Sequence, residues 1–492
     1  MTARILGPAA LLCTIAFCLF VLTSGNIALL GLGALVPLGL VSLGRPDVLF
    51  MAVCWTYNST LRIPGIAGQL ELYQLFIVGF VLISAVRFLI TGKGIPFAAP
   101  HAWAVAFGIV LAATMYARGT GFRVLGENLW GGARYVDIIL GLLFFLAAGC
   151  VQLTAKQWKW AIVGLIVSGA LPALAELLYV FSGGSVYWQY AIFLPRGTTG
   201  SALESMEAGE TTRFTMLSRM SLVYLVPFLF SDVRRRRLLP YAVFVLLGVF
   251  FGGFTGHRIV LLNIVMFIWV FFFLETKRKV AFTIVSAAVT AALLFLAGQF
   301  AFFLPSSFQR MLTLVPFARV SHEVLLDAGG SINWRMLLWR EAVKLVPEYL
   351  WVGKGYAYSP VLAQAHDVRW LSNYAIWWAL VQTAYHQGIL SLLIGMGLPG
   401  LIVGLAFLAT ACLRHYRFAR TSRPDNLLRR IHYVYFILFL VGAFSFLAVY
   451  GDVFVSFPRL FFYAAIAEGV MHTLKNEGER EETPDRSGPG SA

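Results

Sequence analysis

The eighteen residues from Leu238 to Thr255 carry no charge, and the sixteen from Ile259 to Leu274 carry none either. Only Gly256, His257 and Arg258 separate the two runs. Crossing the hydrocarbon of a bilayer takes about 20 helical residues, and runs of nearly this length recur along most of the chain. Backbone in hydrocarbon must satisfy its own hydrogen bonds, which leaves helices or closed barrels. The runs are continuous rather than alternating, so helices are expected. Composition agrees: 59% of residues are hydrophobic and 12% charged, against about 25% charged in soluble proteins. The expected fold is all-α, a polytopic integral membrane protein.

Candidate spans are 5–24, 27–43, 47–61, 70–90, 98–116, 132–150, 158–181, 213–231, 238–255, 259–275, 280–304, 386–412, 431–450 and 453–472. The segment 47–61 is short and carries Asn58, as a re-entrant segment would, and the first two spans can be divided differently. About 12–14 transmembrane helices follow. The net charge of +15 does not point to nucleic acid. Its basic residues cluster in short loops, at Arg234–Arg237, at Lys277–Lys279 and between Arg414 and Arg430. The positive-inside rule puts these loops in the cytoplasm, together with both termini. The first span is expected to be a retained helix, because it lacks a clear small-residue cleavage site. The division expected is an N-terminal bundle over 1–304, an extracytoplasmic loop over 305–385, C-terminal transmembrane helices over 386–475 and a disordered tail over 476–492.

The large loop should contain helical structure. After Gly329-Gly330-Ser331, residues Trp334, Leu337, Leu338, Ala342 and Leu345 share one face of a helix, with Arg340, Glu341 and Lys344 opposite. Ser331 or Asn333 would cap its start and Pro347 end it. An aromatic stretch from Trp370 to Tyr385 suits a membrane surface. The outer side is basic, with Arg196, Arg213, Arg219, Arg258, Arg310, Arg319, Arg335, Arg340, Lys344, Lys354 and Arg369. Arg258 lies in the tight hairpin Thr255-Gly256-His257-Arg258, at the membrane edge. A charge held there is expensive and marks a functional candidate, although snorkelling to lipid phosphate also accounts for it. Asp137 and Glu176 lie within spans, where they can pair with a base such as Arg134, line a cavity or make a structural hydrogen bond. Cys13, Cys18, Cys54, Cys150 and Cys412 show no metal-ligand spacing and read as small buried hydrophobes.

His386 closes the long loop and opens the span that runs to the Gly-Leu-Pro-Gly-Leu stretch at 397–401. A neutral imidazole at such a boundary can take a proton from an attacking hydroxyl near pH 7. A lone interfacial histidine is more often structural, so its weight as a base depends on its neighbours. His257, His322 and His366 compete with it.

Three segments in order resemble the O-antigen ligase and O-antigen polymerase superfamily of bacterial envelope glycosyltransferases. Thr255-Gly256-His257-Arg258 resembles the family's Thr-Gly-Ser-Arg hairpin. Arg335, Trp339 and the stretch Pro347–Gly355 resemble its outer-loop arginine helix and the turn after it. His386–Leu401 resembles its His-Asn-x-x-Leu helix. The match covers roughly residues 213–412. It departs from the family at His257, Ile259, Gln387 and Gly395, the last standing where the family carries an acid.

The resemblance implies a glycan donor on polyprenyl pyrophosphate at the outer face of the bacterial inner membrane. The acceptor is a hydroxyl of a glycan, lipid or protein, and transfer inverts the anomeric carbon. His386 is then the expected catalytic base, with Arg258 and Arg335 binding pyrophosphate. His257, Arg213, Arg340 and Trp339 are secondary candidates. Guanidinium groups suit phosphate oxygens, which they bind bidentately. Pyrophosphate is a good leaving group, and the outer loops hold no Asp-x-Asp pair, so the reading requires neither metal nor cofactor. The outer carboxylates Glu323, Asp327 and Asp367 are candidates to orient sugar or histidine. A transporter or flippase of a lipid-linked glycan or anionic lipid is the alternative. Transporters tend to have repeated halves, and no internal repeat is evident here.

Overall fold

A computed structural model describes residues 45–62, 71–91, 97–122, 127–185, 214, 216–230, 238–359, 374–421 and 426–482. The two spans expected over 5–43 and the outer residues Arg196, Arg213, His366, Asp367, Arg369 and Trp370 lie outside them, as does the basic run Arg234–Arg237. The fold is all-α, and the described residues contain no strand beyond two isolated bridges. Among the described residues, eight helices are long and apolar enough to cross a membrane. The outer ones among them are Leu72–Ile90 near the start and Val453–Asn476 near the end.

Several expected spans are broken where the sequence weakens a helix. Pro46–Thr56 has 11 residues, about 16 Å of helix against a hydrocarbon layer of about 30 Å. Thr60, four residues beyond its end, holds φ +47°. The span expected over 158–181 divides at Gly169 into Ala155–Ser168 and Ala170–Phe181. The one expected over 213–231 divides into Leu217–Met220, the 3-10 turn Ser221–Leu225 and Val226–Phe230. Broken backbone at membrane depth needs partners. The buried Glu176 supplies them, accepting from the N–H groups of Met216 at 2.9 Å and Leu217 at 3.3 Å. The structural reading of Glu176 therefore has direct support.

The core lies where Val453–Glu482 packs on Gly132–Ala148 and Leu427–Ala448, and where Gly388–Thr421 packs on Ala99–Arg118. Close approach depends on small residues. A β-carbon at Gly141 would lie 2.8 Å from the Cα of Pro458. Aromatic rings fill the remaining space, with Phe107 stacked on Phe457 at 4.7 Å and Phe407 at 4.7 Å from Phe461. At one end of this core the buried Glu468 accepts from Arg414, with Nε at 3.0 Å, and lies 3.2 Å from His472. The last helix runs on to Glu482. Its last residues, in the stretch expected as a tail from 476, include Glu and Arg, which are good helix formers.

The helix of the large loop is longer than expected. It runs His322–Val343, capped by Ser321, whose hydroxyl accepts from Val324 N at 3.5 Å. Ser331 and Asn333 are interior to it, and so are Gly329 and Gly330. Each glycine costs about 1 kcal/mol in a helix. Burial of Val324 and Ala328 on one side of the pair and Leu338 and Ala342 on the other carries the helix through. The expected apolar face is only partly right: Leu338 and Ala342 are buried, but Leu337 is exposed. Pro347 opens a further short helix, Val346–Tyr349. The second aromatic segment forms the helix Tyr374–Val381.

Candidate active site

The segment after the outer helix docks on the helix that follows His386, and the reason lies in Gly397 and Pro399. Gly397 interrupts Gly388–Thr421 with φ +73° and ψ −177°, a conformation essentially restricted to glycine. Proline has no N–H, so Pro399 leaves the carbonyl of Gly395 without its helical donor. Gly355 N fills it at 3.0 Å. Leu398 N turns away to Leu350 O at 2.6 Å, and Lys354 N takes the freed carbonyl of Ile394 at 2.7 Å. Gly353 is required here, because a β-carbon would stand 2.3 Å from Gly395 O. The Lys354 ammonium donates to the carbonyls of Leu380 and Val381, capping the end of Tyr374–Val381. Burial, with Arg134 nearby, lowers its pKa to about 8.

His386 stands just before this helix and holds φ +54°. A β-carbon makes that region costly, and such strain gathers at functional sites. The buried carboxylate of Asp452 holds the conformation. One oxygen accepts from His386 N at 2.8 Å and from the Ser391 hydroxyl at 3.1 Å. The other lies 2.7 Å from His386 Nδ1. A carboxylate can only accept, so Nδ1 carries the proton and Nε2 has the free lone pair. The imidazole also stacks on Tyr450 at 4.7 Å and lies 5.5 Å from the Trp334 ring. Trp339 Nε1 donates to Tyr385 O at 2.9 Å, tying the outer helix to the residue before the histidine.

Arg335 reaches the same group, its guanidinium 5.5 Å from the centre of the Tyr450 ring. Burial lowers its pKa, and the charge of Arg310 lowers it further. Arg258 Nη2 donates to Ala328 O at 3.4 Å on the same helix. Residues 328 and 335 are seven apart, so they share a face about 10 Å apart along the axis. The hairpin behind Arg258 is braced by Thr255, which accepts from His257 N at 3.1 Å, and by Arg310, which donates to Gly256 O at 3.0 Å. Arg310 also pairs with Asp327.

The structure thus brings His386, Arg335 and Trp339 together, with Arg258 two turns along the outer helix. His257 caps the helix Arg258–Glu275 at its start. Arg340 is exposed, and Arg213 lies outside the described residues. Other outer cations bind backbone: Arg219 holds the Asn58 carbonyl and the Thr60 hydroxyl. Arg134 binds Gln382, while Asp137 accepts from Gln74. Among the outer carboxylates, Asp327 takes Arg310 and Glu323 is exposed in the first turn of the outer helix. Asp452 is the carboxylate that orients His386, and sequence reasoning missed it. Its signal is a single acid in the turn Tyr450-Gly451-Asp452 between two spans.

The O-antigen ligase family model matches residues 242–405. The matched stretch is about a third of the chain. No curated protein matches the chain. The matched stretch includes Arg258, Arg335 and His386 and ends before Asp452. Two departures from the family pattern have a local cause. A β-carbon at Gly395 would lie 2.9 Å from the Tyr356 hydroxyl and 3.2 Å from its ring, so Tyr356 occupies the space an acid would need. Gln387 accepts from Leu390 N at 2.5 Å and caps the helix.

Proposed function

We propose that this protein transfers a glycan from a polyprenyl-pyrophosphate donor to an acceptor hydroxyl at the outer face of the bacterial inner membrane. The observation that carries the reading is the His386–Asp452 couple beside Arg335, in a chain whose residues 242–405 match the O-antigen ligase family model. The acceptor oxygen attacks the anomeric carbon, and its proton passes to His386 Nε2. The bond from that carbon to the pyrophosphate oxygen breaks, and the polyprenyl pyrophosphate leaves with the electron pair. Attack opposite the leaving group inverts the centre. Asp452 keeps the base in the required tautomer and stabilises the imidazolium that forms. Arg258 and Arg335 meet the charge that grows on the leaving group, and preorganised charge is an effective way to lower such a barrier. The acceptor class is a glycan, lipid or protein hydroxyl.

The test uses the purified full chain with a lipid-linked oligosaccharide donor and a hydroxylated acceptor. Free polyprenyl pyrophosphate should appear together with the glycosylated acceptor, and His386→Ala should abolish both while inserting normally. Release at the wild-type rate in His386→Ala removes the proposed base. Movement of donor across vesicle membranes with no release makes the protein a transporter instead.

A further inference from the structure

At the end of the bundle away from His386, three helices flank an open cleft of about 390 Å³ lined by Lys159, Val163, Phe230, Leu427 and Arg430. Its depth is fixed by its neighbours. Lys159 follows Trp158, whose indole donates to Thr473 at 3.1 Å, on the last helix beyond Glu468. Asp452, by contrast, precedes that helix. Arg430 lies in the first turn of Leu427–Ala448, whose other end leads to Tyr450. Trp160, next to Lys159, is 47% exposed, and tryptophan marks the level where hydrocarbon meets headgroups. The positive-inside rule makes this the cytoplasmic leaflet.

The lining divides by chemistry. Lys159 and Val163 are one turn apart on one helix, and Leu427 and Arg430 share a face of another, so each wall carries one cation and one apolar side chain. Phe230 completes the apolar part. The sequence then enters Arg234–Arg237 within a few residues. The two helix starts carry Lys156, Lys159, Arg429 and Arg430 and no first-turn acid. Cations are disfavoured at the positive end of a helix dipole. A general excess of inner positive charge accounts for exposed arginines, but it does not require a lysine and an arginine to line one cleft beside apolar side chains.

We propose that this cleft binds an anionic phospholipid of the leaflet opposite the His386 site. The phosphate lies between Lys159 and Arg430, and an acyl chain lies against Val163, Phe230 and Leu427. Basic pockets between helices at the cytoplasmic side suit such headgroups, and each cation near the surface adds appreciable affinity.

The full chain, stripped of lipid in detergent, is titrated with phosphatidylglycerol, phosphatidylcholine or inorganic phosphate while thermal unfolding is followed. Phosphatidylglycerol should raise the transition temperature of the wild type. In Lys159→Gln with Arg430→Gln it should act about 30-fold more weakly, the loss of two surface cations. Phosphatidylcholine and inorganic phosphate should leave the transition unchanged. An equal response in the double variant, or an equal response to phosphatidylcholine, overturns the site. A phosphate response equal to that of phosphatidylglycerol reduces it to a simple anion site and overturns the lipid. If the double variant does not fold, a photoactivatable phosphatidylglycerol in wild type decides: label should map to 155–168 and 427–448, and its absence there refutes the proposal. Glycan transfer is not the readout, so this result and the catalytic reading stand or fall separately.

Discussion

Replacing Asp452 by asparagine probes the proposed base through its tautomer while leaving the shape of the site intact. In the wild type, one carboxylate oxygen faces two donors, His386 N at 2.8 Å and the Ser391 hydroxyl at 3.1 Å. The other faces His386 Nδ1 at 2.7 Å. An asparagine must put its amide nitrogen at one of these places. Against the two donors it would leave buried N–H groups facing each other, at about 1–3 kcal/mol. The amide nitrogen therefore turns to Nδ1 and donates to it. The ring proton moves to Nε2, and the lone pair that should receive the acceptor's proton is gone. General-base catalysis contributes about 10²–10⁴-fold, so kcat should fall by roughly that factor. KM for the lipid donor should change little, because Arg258 and Arg335 keep their places. The assay is release of polyprenyl pyrophosphate from a saturating donor, with thermal unfolding to confirm an intact fold. Activity of Asp452→Asn within about twofold of wild type would refute both the tautomer argument and the base assignment that depends on it.

Arg335→Lys retains the charge but loses the planar fork, so transfer should drop by about 10²-fold with insertion unchanged; a wild-type rate rules Arg335 out as a pyrophosphate ligand. Arg414→Ala leaves Glu468 buried without its guanidinium and should cost up to about 3–5 kcal/mol, reduced because His472 stays 3.2 Å away; detergent unfolding curves measure it. Gly397→Ala forces a β-carbon to 2.7 Å from Trp351 O at φ +73° and should destabilise by about 1–3 kcal/mol, seen as faster proteolysis of the 350–359 segment. Lys354, with its pKa lowered to about 8 against 10.5 for the free side chain, binds its proton more weakly folded than unfolded. Stability should therefore rise from about pH 8 to 10.5 and stay level below pH 8, where both states hold the proton, and Lys354→Met should flatten that slope in pH-resolved unfolding.

What the sequence made legible follows from the range of each signal. Hydropathy is summed over twenty residues, so spans such as 258–275 and 427–448 were placed within a few positions. The hairpin at Thr255–Arg258 and the position of His386 at a membrane edge were equally local. The outer helix was cut short because Gly329 and Gly330 read as a break, and only the packing of Val324 and Ala328 overrides that cost. Asp452 went unnoticed because it lies 66 positions from its histidine, in a turn with no pattern of its own. Nothing local tells such an acid from one that simply faces water. The docking of 350–355 on the interrupted helix was half visible, since Pro399 announced an orphan carbonyl but not the donor that fills it.

The two helices that carry the catalytic couple are fastened twice. Near one end His386 and Ser391 grip Asp452, and further along Arg414 grips Glu468, about 22 Å down the last helix. A slide of either helix by one turn would break both charged contacts together, so the pair behaves as a braced frame with two crossbars. The outer helix is held to that frame by Trp339, whose indole donates to Tyr385 O, and the hairpin is held to the outer helix by Arg258, whose guanidinium donates to Ala328 O. On the proposed reading, His386 and Asp452 would stay in register if the outer helix and hairpin gave way, so the site would admit glycans of different length without retuning its proton transfer.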